Sequence, residues 1–449
     1  MALTHHRNNI DMLHGSLLDK ILIFALPLAA SMMLQQLFNS ADIAVVGRFD
    51  SPQAMAAVGS NGAAINLMVN LFVGLSIGAN VIVAQYIGRK DTAKIHDAVH
   101  TSISLALIGG VILLVWGIAA ARPLLTLMDT PADIIELAVI YFRIYFLGTP
   151  FIMLYNFGSA ILRSKGDSRR PLISLAVGGV INVILNLIFV IGFKLSVVGV
   201  ALATVISNVI SALMIMHWLM TEDSPFTFRV RDLMLGKTYL VQILKVGLPA
   251  GIQGSLFSIS NVCIQTAING IGSYASAGRA AALNFDFLVY YIVAAFTQSA
   301  VTFTSQNFGA GDYRRCDKVF ATSMLAGVGF TGLACLVCYV WCTELLSIYT
   351  VNPEVLHYAE ARMIHVVVFL WMTGLYEISG GCLRGIGHST LPSLMVLLGC
   401  CLLRIVWVYT VFRSYGSFEA LMNVYPVSWL ITSVGTLTAY YIIRKRAFA

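Results

Sequence analysis

The stretch "LQQLFNSADIAVVGRF", residues 34–49, ends the first long apolar run of the chain and contains one carboxylate, Asp42. The run starts near Ile21 and is almost unbroken, and about 20 apolar residues allow a helix to cross the roughly 30 Å of hydrocarbon in a bilayer. An ionisable residue inside such a span costs at least about 2.5–3.5 kcal/mol on insertion scales. Asp42 is therefore a candidate functional residue.

The composition of the whole chain agrees with a membrane location. Of the 449 residues, 58% are hydrophobic and 11% are charged, whereas soluble domains have about 25% charged residues. The first twenty residues are polar and predict no cleavable signal peptide. No nucleotide-binding motif is visible, so we expect no cofactor and no nucleic-acid partner, and any uphill work must draw on an ion gradient.

Twelve apolar runs are long enough to span the membrane. They are long and lack strict alternation of apolar and polar residues, which predicts an all-helical membrane protein rather than a sheet. The predicted spans lie near residues 18–47, 54–86, 96–121, 133–162, 171–193, 197–219, 239–268, 279–308, 317–342, 354–383, 391–412 and 424–443.

The basic residues predict the orientation of these spans. Most of the 28 Lys and Arg fall in the segments that are cytoplasmic if the N-terminus is cytoplasmic, and Arg143, Arg362 and Arg404 fall within spans. The positive-inside rule then places both termini in the cytoplasm, and we expect the bacterial cytoplasmic (inner) membrane. The outer loops hold only Arg48, Arg122, Lys194, Arg279 and Arg413.

The chain contains an internal repeat. "LRSKGDSRRP" (162–171) matches "LRGIGHSTLP" (383–392) in its Leu, Arg, Gly, Ser and Pro, and the same offset relates "AQYIGRKD" (84–91) to "SQNFGAGD" (305–312). Each half holds six spans, so both halves have the same orientation. The repeat predicts an N-lobe over 1–230, a C-lobe over 231–449 and a substrate site between them.

Three spans of the first half carry polar residues at similar depth. Gln35, Asn39 and Asp42 are spaced i, i+4, i+7 and share one helix face. Asn182 and Asn186 share a face of span 5. In span 6, Thr204 lies about seven residues from the outer end, with Asn208 one turn further.

A carboxylate, two amides and a hydroxyl at one depth favour a site for a coupling ion. Oxygen ligands of this kind suit a hard cation such as Na⁺, and a buried aspartate can instead carry a proton. An interhelical hydrogen-bond network would explain the amides unaided, but it explains an unpaired carboxylate poorly. We therefore predict an ion-coupling site of Asp42, Asn182, Asn186 and Thr204, in which Na⁺ at Asp42 is the only metal ion considered.

At this point the chain resembles the MATE (multidrug and toxic compound extrusion) family. The resemblance is carried by "ADIAVVGR" in span 1, the Asn pair of span 5, "GVALATVIS", both "LR…G…P" loops and "GLPAGIQGSLFSISN". It implies two six-helix lobes, alternating access, and export of cationic or amphipathic drugs or metabolites against H⁺ or Na⁺. It also implies a bend of span 1 at Pro27, and we expect a monomer in the lipid bilayer.

Two departures from the family pattern affect the site. The family often has Asn…Asp in span 5, whereas this chain has Asn182…Asn186, so Asp42 is the one carboxylate of the cluster, which slightly favours protons. Many relatives carry a glutamate early in span 7, where this chain has Ser258 and Asn261. The predicted substrate-pathway residues are Gln35, Asn39, Asn208, Ser258, Asn261 and Asp286.

The second half has charged residues of its own. Residue counting along spans 10 and 11 puts Glu377 and Arg404 within reach of each other, and we predict a mainly structural ion pair; a second titrating site or a latch between lobes is the alternative. Asp286 either attracts cationic substrates or binds a neighbouring amide. Arg143 and Arg362, near outer ends of spans, are expected to snorkel or to pair locally.

Other functions and sites remain open from the sequence. A flippase for lipid-linked precursors would favour a strongly cationic central cavity, and an integral-membrane enzyme would need clustered His, Asp or Glu, whereas the nine His are scattered. The C-x-x-C-x-x-x-C spacing from Cys335 to Cys342 lacks a nearby His or carboxylate, so we favour apolar packing over a metal site and predict no disulfide. A transporter without enzymatic activity is the leading hypothesis.

Overall fold

The computed structural model describes residues 9–128 and 130–448, and these residues form helices with no strand among them. The prediction of an all-helical membrane protein is confirmed. The main helices are α1 Leu18–Phe49, α2 Pro52–Gly88, α3 Thr92–Leu127, α4 Ile135–Leu147, α5 Thr149–Ser164, α6 Arg169–Leu187, α7 Ser196–Met220, α8 Lys237–Ile271, α9 Ser273–Gly309, α10 Tyr313–Val340, α11 Cys342–Ser347, α12 Pro353–His365, α13 Trp371–Gly385, α14 Thr390–Val396, α15 Leu403–Trp407, α16 Arg413–Tyr415, α17 Phe418–Met422 and α18 Val424–Ala447.

The twelve predicted spans correspond to ten long helical segments and two bent pairs. The pair α4–α5 bends by 48° and the pair α12–α13 by 40°. Pro150 accounts for the first bend, because proline has no N–H to donate and clashes with the preceding turn, so that α4 ends and α5 restarts. A short 3₁₀ turn, Val367–Phe369, occupies the second bend.

Three stretches of π-helix interrupt the spans in the described ranges. Ile188–Gly192 extends α6, and Leu397–Leu402 and Val408–Phe412 lie on either side of α15. A π-turn is rare, appears mostly inside longer α-helices and is frequently found at functional sites. The span from Thr390 to Tyr415 is therefore the most irregular of the described chain.

The chain folds into two compact units. The first holds Leu26–Ile252 with the segment that ends at Asp11, and the second holds Met12–Ala25 with the chain from Gln253 onward. The chain thus passes from one unit to the other inside α1, next to Pro27, and inside α8, three residues after Pro249. The lobes predicted from the repeat, 1–230 and 231–449, have their boundary in the linker between the repeats. This division stays a prediction.

Close helix packing defines the first unit. A Cβ added to Gly78 of α2 would lie 2.3 Å from the backbone oxygen of Ile243 in α8, so only glycine permits this approach. The second unit contains buried aromatic contacts between its segments. The Phe24 and Phe303 ring centroids lie 5.8 Å apart, and Asn307 donates to the Met12 backbone oxygen at 3.1 Å, which ties Met12–Ala25 to this unit.

Candidate functional site

Asp42 lies in the first unit as a buried carboxyl group with neutral hydrogen-bond donors. Its side chain is 6% exposed. Asn186 Nδ2 donates to Asp42 Oδ1 at 2.6 Å, and Thr204 Oγ1 lies 3.2 Å from Oδ2. No Lys, Arg or His of the described chain interacts electrostatically with this carboxyl group. Helices α1, α6 and α7 thus meet around one carboxylate that has no positive partner.

The four predicted coupling residues form a continuous hydrogen-bonded cluster. Asn186 Nδ2 also lies 3.2 Å from Asn182 Oδ1, and Asn182 Nδ2 lies 3.4 Å from Thr204 Oγ1. Asn186 is fully buried, and its Oδ1 has no hydrogen-bond partner. This unused acceptor can receive a hydrogen bond if the charge of Asp42 changes.

Thr204 has two competing acceptors. Its Oγ1 lies 2.9 Å from the Val200 backbone oxygen one turn earlier in α7 and 3.2 Å from Asp42 Oδ2. A hydroxyl group has one hydrogen, so it can donate to only one of them at a time. The hydroxyl can therefore turn towards or away from Asp42 without any movement of the backbone.

Two glycines bring the three helices close enough for these contacts. A Cβ on Gly178 would lie 2.1 Å from Ser211 Oγ of α7, and a Cβ on Gly179 would lie 1.7 Å from the Phe38 ring of α1. Ser211 Oγ also donates to the Ser174 backbone oxygen at 3.1 Å. Because Asn182 follows Gly178 by one helical turn, close packing at this glycine places the amide opposite Thr204.

Two tyrosines near Asp42 were missed by the sequence reasoning. Tyr141 and Tyr145 of α4 lie within electrostatic range of the Asp42 carboxyl group, and their rings stack with centroids 6.4 Å apart. Their i, i+4 spacing in "YFRIY" puts both phenols on one helix face, which is the signal that could have identified them.

The predicted pathway residues are not part of this cluster. Gln35 and Asn39 are exposed, although they share a helix with Asp42. Asn208, Ser258 and Asn261 are half-buried, and Ser258 donates to the Gly254 backbone oxygen of its own helix at 3.2 Å. Pro27 lies within the continuous helix α1, where its oxygen accepts from Ser31 Oγ at 2.8 Å.

Asp286 has a different partner from those the sequence suggested. It forms a buried ion pair with Arg362, and the arginine also lies 5.0 Å from the Tyr425 ring centroid. Asp286 is therefore paired with an arginine, and it is neither free to attract a cationic substrate nor bound to a neighbouring amide as the sequence suggested. Arg362 does not snorkel, because its side chain is 2% exposed; the other expectation, pairing with a nearby group, holds, and the partner lies 76 residues away in the sequence.

The predicted Glu377–Arg404 pair is wrong. Glu377 Oε2 lies 3.9 Å from Arg384 Nη1, and Arg384 Nη2 donates to Gln253 Oε1 at 2.8 Å. Glu377 and Arg384 are seven residues apart, or two helical turns, so they share one face of α13. Arg404 instead donates from Nε to Ser428 Oγ at 3.3 Å.

Comparisons with known proteins agree with the fold and with the repeat. The MatE family model matches residues 27–188 and 249–410, one match in each half. The probable multidrug resistance protein YoeA of Bacillus subtilis is 28% identical over 83% of this chain and 82% of its own length. The multidrug export protein MepA of Staphylococcus saprophyticus is 22% identical over 96% of this chain and 95% of its own.

A solved structure supports the same conclusion on the fold. The crystal structure of MATE in complex with MaL6 has a TM-score of 0.90 and 21% identity, and the match covers 97% of this chain and 98% of that one. With the family model matching most of the chain in two blocks, the resemblance seen in the sequence is confirmed. The chain is a multi-pass membrane protein that belongs to the MATE family of multidrug efflux transporters.

Proposed function

We propose that this protein is an antiporter that exports cationic or amphipathic small molecules in exchange for protons taken up at Asp42. The observation that carries the proposal is a carboxyl group, only 6% exposed, whose contacts are neutral donors from two other helices. A buried carboxylate without a positive partner is expensive, and cation uptake removes that cost.

The donors around Asp42 favour a proton over Na⁺ as the coupling ion. Both groups in contact with the carboxylate, Asn186 Nδ2 and Thr204 Oγ1, present hydrogen atoms to it. A sodium ion requires several oxygen ligands, so Asn186 would have to turn its Oδ1 inward. A proton needs only the carboxylate, after which Asp42 becomes a donor and Thr204 can return to the Val200 oxygen.

Exchange requires that the ion and the substrate stabilise different states of the protein. In our proposal, protonation of Asp42 favours the state that releases the substrate outside, and proton release inside restores the state that binds substrate. Gln35, Asn39, Asn208, Ser258 and Asn261 are the proposed pathway residues, because polar side chains at membrane depth are costly unless they face water or a partner. Pro27 is the proposed bending point of α1.

The proposal also includes the setting of the protein. We place it as a monomer in the bacterial cytoplasmic membrane with both termini inside, where a proton gradient is present. We assign it no enzymatic activity and no cofactor. The named relatives are a multidrug resistance protein and a multidrug export protein, which supports small-molecule transport over chemistry.

Substrate efflux from proteoliposomes, with pH and Na⁺ gradients imposed separately, tests the proposal. Asp42→Asn should abolish efflux driven by a pH gradient, because an amide cannot exchange a proton. Asp50→Asn is the matched control, since Asp50 follows the same helix but is exposed. Undiminished efflux by Asp42→Asn would reject the coupling role, and efflux driven by Na⁺ alone would reject the proton.

A further inference from the structure

Arg404 is a buried cation with no anion beside it among the described residues. The side chain is 1% exposed, and neither Nη1 nor Nη2 has a hydrogen-bond partner. Within the described part of the chain, its one hydrogen bond runs from Nε to Ser428 Oγ. A guanidinium group has five N–H donors and stays charged in proteins, so the unused terminal nitrogens carry an uncompensated cost in a dry interior.

Two carboxylates within the spans of the second unit already lie against other arginines. Asp286 pairs with Arg362, and Glu377 lies closest to Arg384. Among the described residues of this unit, three arginines are buried, Arg362, Arg384 and Arg404, and these two carboxylates lie against the first two. The surplus charge belongs to Arg404, since breaking either existing pair would leave another arginine alone.

Aromatic rings hold the guanidinium group in place without neutralising it. The Arg404 Cζ atom lies 4.5 Å from the Tyr425 ring centroid and 5.1 Å from the Phe257 ring centroid. Cation–π contacts of this kind fix the plane of the group but make no hydrogen bond to its N–H donors. The rings therefore orient the group, while its buried terminal nitrogens, Nη1 and Nη2, have no hydrogen-bond partner among the described residues.

The backbone around Arg404 has the irregularity typical of binding sites. The residue lies in the five-residue helix α15, with π-helix from Leu397 to Leu402 before it and from Val408 to Phe412 after it. Such turns are rare and are frequently found at functional positions. This backbone feature is independent of the missing hydrogen bonds, and it points to the same residue.

We propose that Arg404 is a binding site for the carboxylate group of a small organic acid or zwitterion. Two adjacent N–H donors at the end of a guanidinium group match the two oxygens of a carboxylate through parallel hydrogen bonds, a geometry that a spherical anion cannot fill. The flanking Tyr425 and Phe257 rings suit an acid that carries an aromatic group.

This site refines the substrate class of the proposed exporter. Where the bound acid is also the exported molecule, the inference rests on the proposed function and extends it to amphipathic compounds that carry a carboxylate. The binding step itself does not depend on transport, because every residue that forms it lies in the second unit. Binding is therefore measured apart from efflux.

The test is benzoate binding to the purified full chain in detergent. Binding is measured as a shift of the melting temperature (Tm) and by calorimetric titration. Benzoate should raise the Tm of the wild type in a saturable manner, and benzamide, the neutral analogue, should not. Arg404→Met should abolish the effect. Arg404→Lys should weaken binding at least about tenfold, because an ammonium group cannot form two parallel hydrogen bonds.

The controls separate a carboxylate site at Arg404 from nonspecific binding of benzoate to the protein surface or the detergent. Arg413→Met changes an exposed arginine of the same span and should bind benzoate as the wild type does. If Arg404→Met does not fold, Arg404→Lys decides, and unchanged affinity in that variant overturns the proposal. It is also overturned if wild-type Tm does not respond to benzoate, or if benzamide or chloride acts as strongly. The Asp42→Asn variant should bind benzoate normally even where efflux is lost. Failure of the proposed function can therefore be distinguished from failure of the carboxylate site at Arg404.

Discussion

Thr204 is the residue at which hydrogen bonding in the cluster can change with the least structural movement. Replacing it with valine keeps the size and branching but removes the hydroxyl group that reaches Asp42 Oδ2. A hydrogen bond to a charged group contributes about 1.5–3 kcal/mol, so efflux driven by a pH gradient should fall about tenfold or more. Thr204→Ser keeps the hydroxyl group and should retain most activity; equal loss in both variants would contradict the role of the hydroxyl.

The Asp286–Arg362 pair gives a second prediction for single residues. Removing one partner leaves an uncompensated buried charge, so Asp286→Asn or Arg362→Met alone should destabilise the protein by about 3–5 kcal/mol. The double variant has no such charge and should recover much of the loss. Thermal unfolding of the three variants in detergent measures the coupling, and additive losses would show that the pair is not an energetic unit.

Residue-level prediction from the sequence succeeded along helices and failed between them. Spacing by three and four residues fixes which side chains share a face, and depth counting aligned Asp42, Asn186 and Thr204 correctly. The same counting wrongly joined Glu377 to Arg404, because depth gives no information on the direction in which each helix face points. The pairing of Asp286 with Arg362 depends on that direction, so the sequence alone did not predict it.

At the scale of the elements, Glu222 connects the C-terminal end of α7 to two other helices. Its carboxylate forms ion pairs with Lys165, which caps α5, and with Arg170 in the first turn of α6. Burial alone would raise the pKa of Glu222, but the hydrogen bonds and charges of Lys165 and Arg170 outweigh burial and lower the pKa below its ordinary 4.5. The segment that connects the two repeats therefore starts beside a residue that is held by two ion pairs.

The lowered pKa predicts how this attachment depends on pH. For a carboxyl group with a lowered folded-state pKa, the stabilisation is complete above the ordinary pKa of 4.5 and is lost as pH falls through the folded-state value. Glu222→Gln should lower the stability at pH 7 by about 1–3 kcal/mol and flatten the loss on acidification. Asp223 is the next residue and is exposed. Asp223→Asn should therefore leave thermal unfolding unchanged, both at pH 7 and after acidification.

Helix α2 contains a pair of glycines that differ only in their surroundings. A Cβ at Gly78 would meet the backbone of α8, whereas a Cβ at Gly59 would meet nothing within 4 Å. Gly78→Ala should therefore cost about 1–3 kcal/mol through overpacking, and Gly59→Ala should be neutral or stabilising by up to about 1 kcal/mol. Thermal unfolding that ranks the two variants in the opposite order would contradict the close packing.

The elements themselves were largely predictable, since twelve apolar runs became twelve spans. The bends and π-turns were not predicted. Pro150 offers a local signal for the bend between α4 and α5, but the bend between α12 and α13 contains no proline. The π-turns around α15 lie in an ordinary apolar sequence, because a single inserted residue leaves the hydrophobicity of a span unchanged.

At the scale of the whole molecule, the two sequence repeats and the two compact units are not the same segments. Fragment 231–449 contains one complete repeat, but it lacks Met12–Ala25, whose Phe24 contacts Phe303 and whose Met12 oxygen accepts from Asn307 and Arg315. The repeat compares sequences at a fixed offset and carries no information on contacts. The boundary of each unit therefore could not be read from it.

This division predicts the behaviour of separated halves. Fragment 231–449 expressed alone should be unstable or poorly accumulated in the membrane, because a buried aromatic contact and several hydrogen bonds are missing. Co-expression with fragment 1–230 supplies the missing segment and should restore monodisperse protein in size-exclusion chromatography. Stable accumulation of 231–449 on its own would show that Met12–Ala25 is dispensable for this unit.

The positions of Pro27 and Pro249 have a mechanical consequence. Each proline deprives its helix of one backbone hydrogen bond, to the carbonyl four residues earlier, and so lowers the bending stiffness there. Both soft points lie within four residues of the place where the chain leaves one unit and enters the other. Elastic strain in either helix will therefore concentrate at that crossing, and the straight segments on each side can remain rigid.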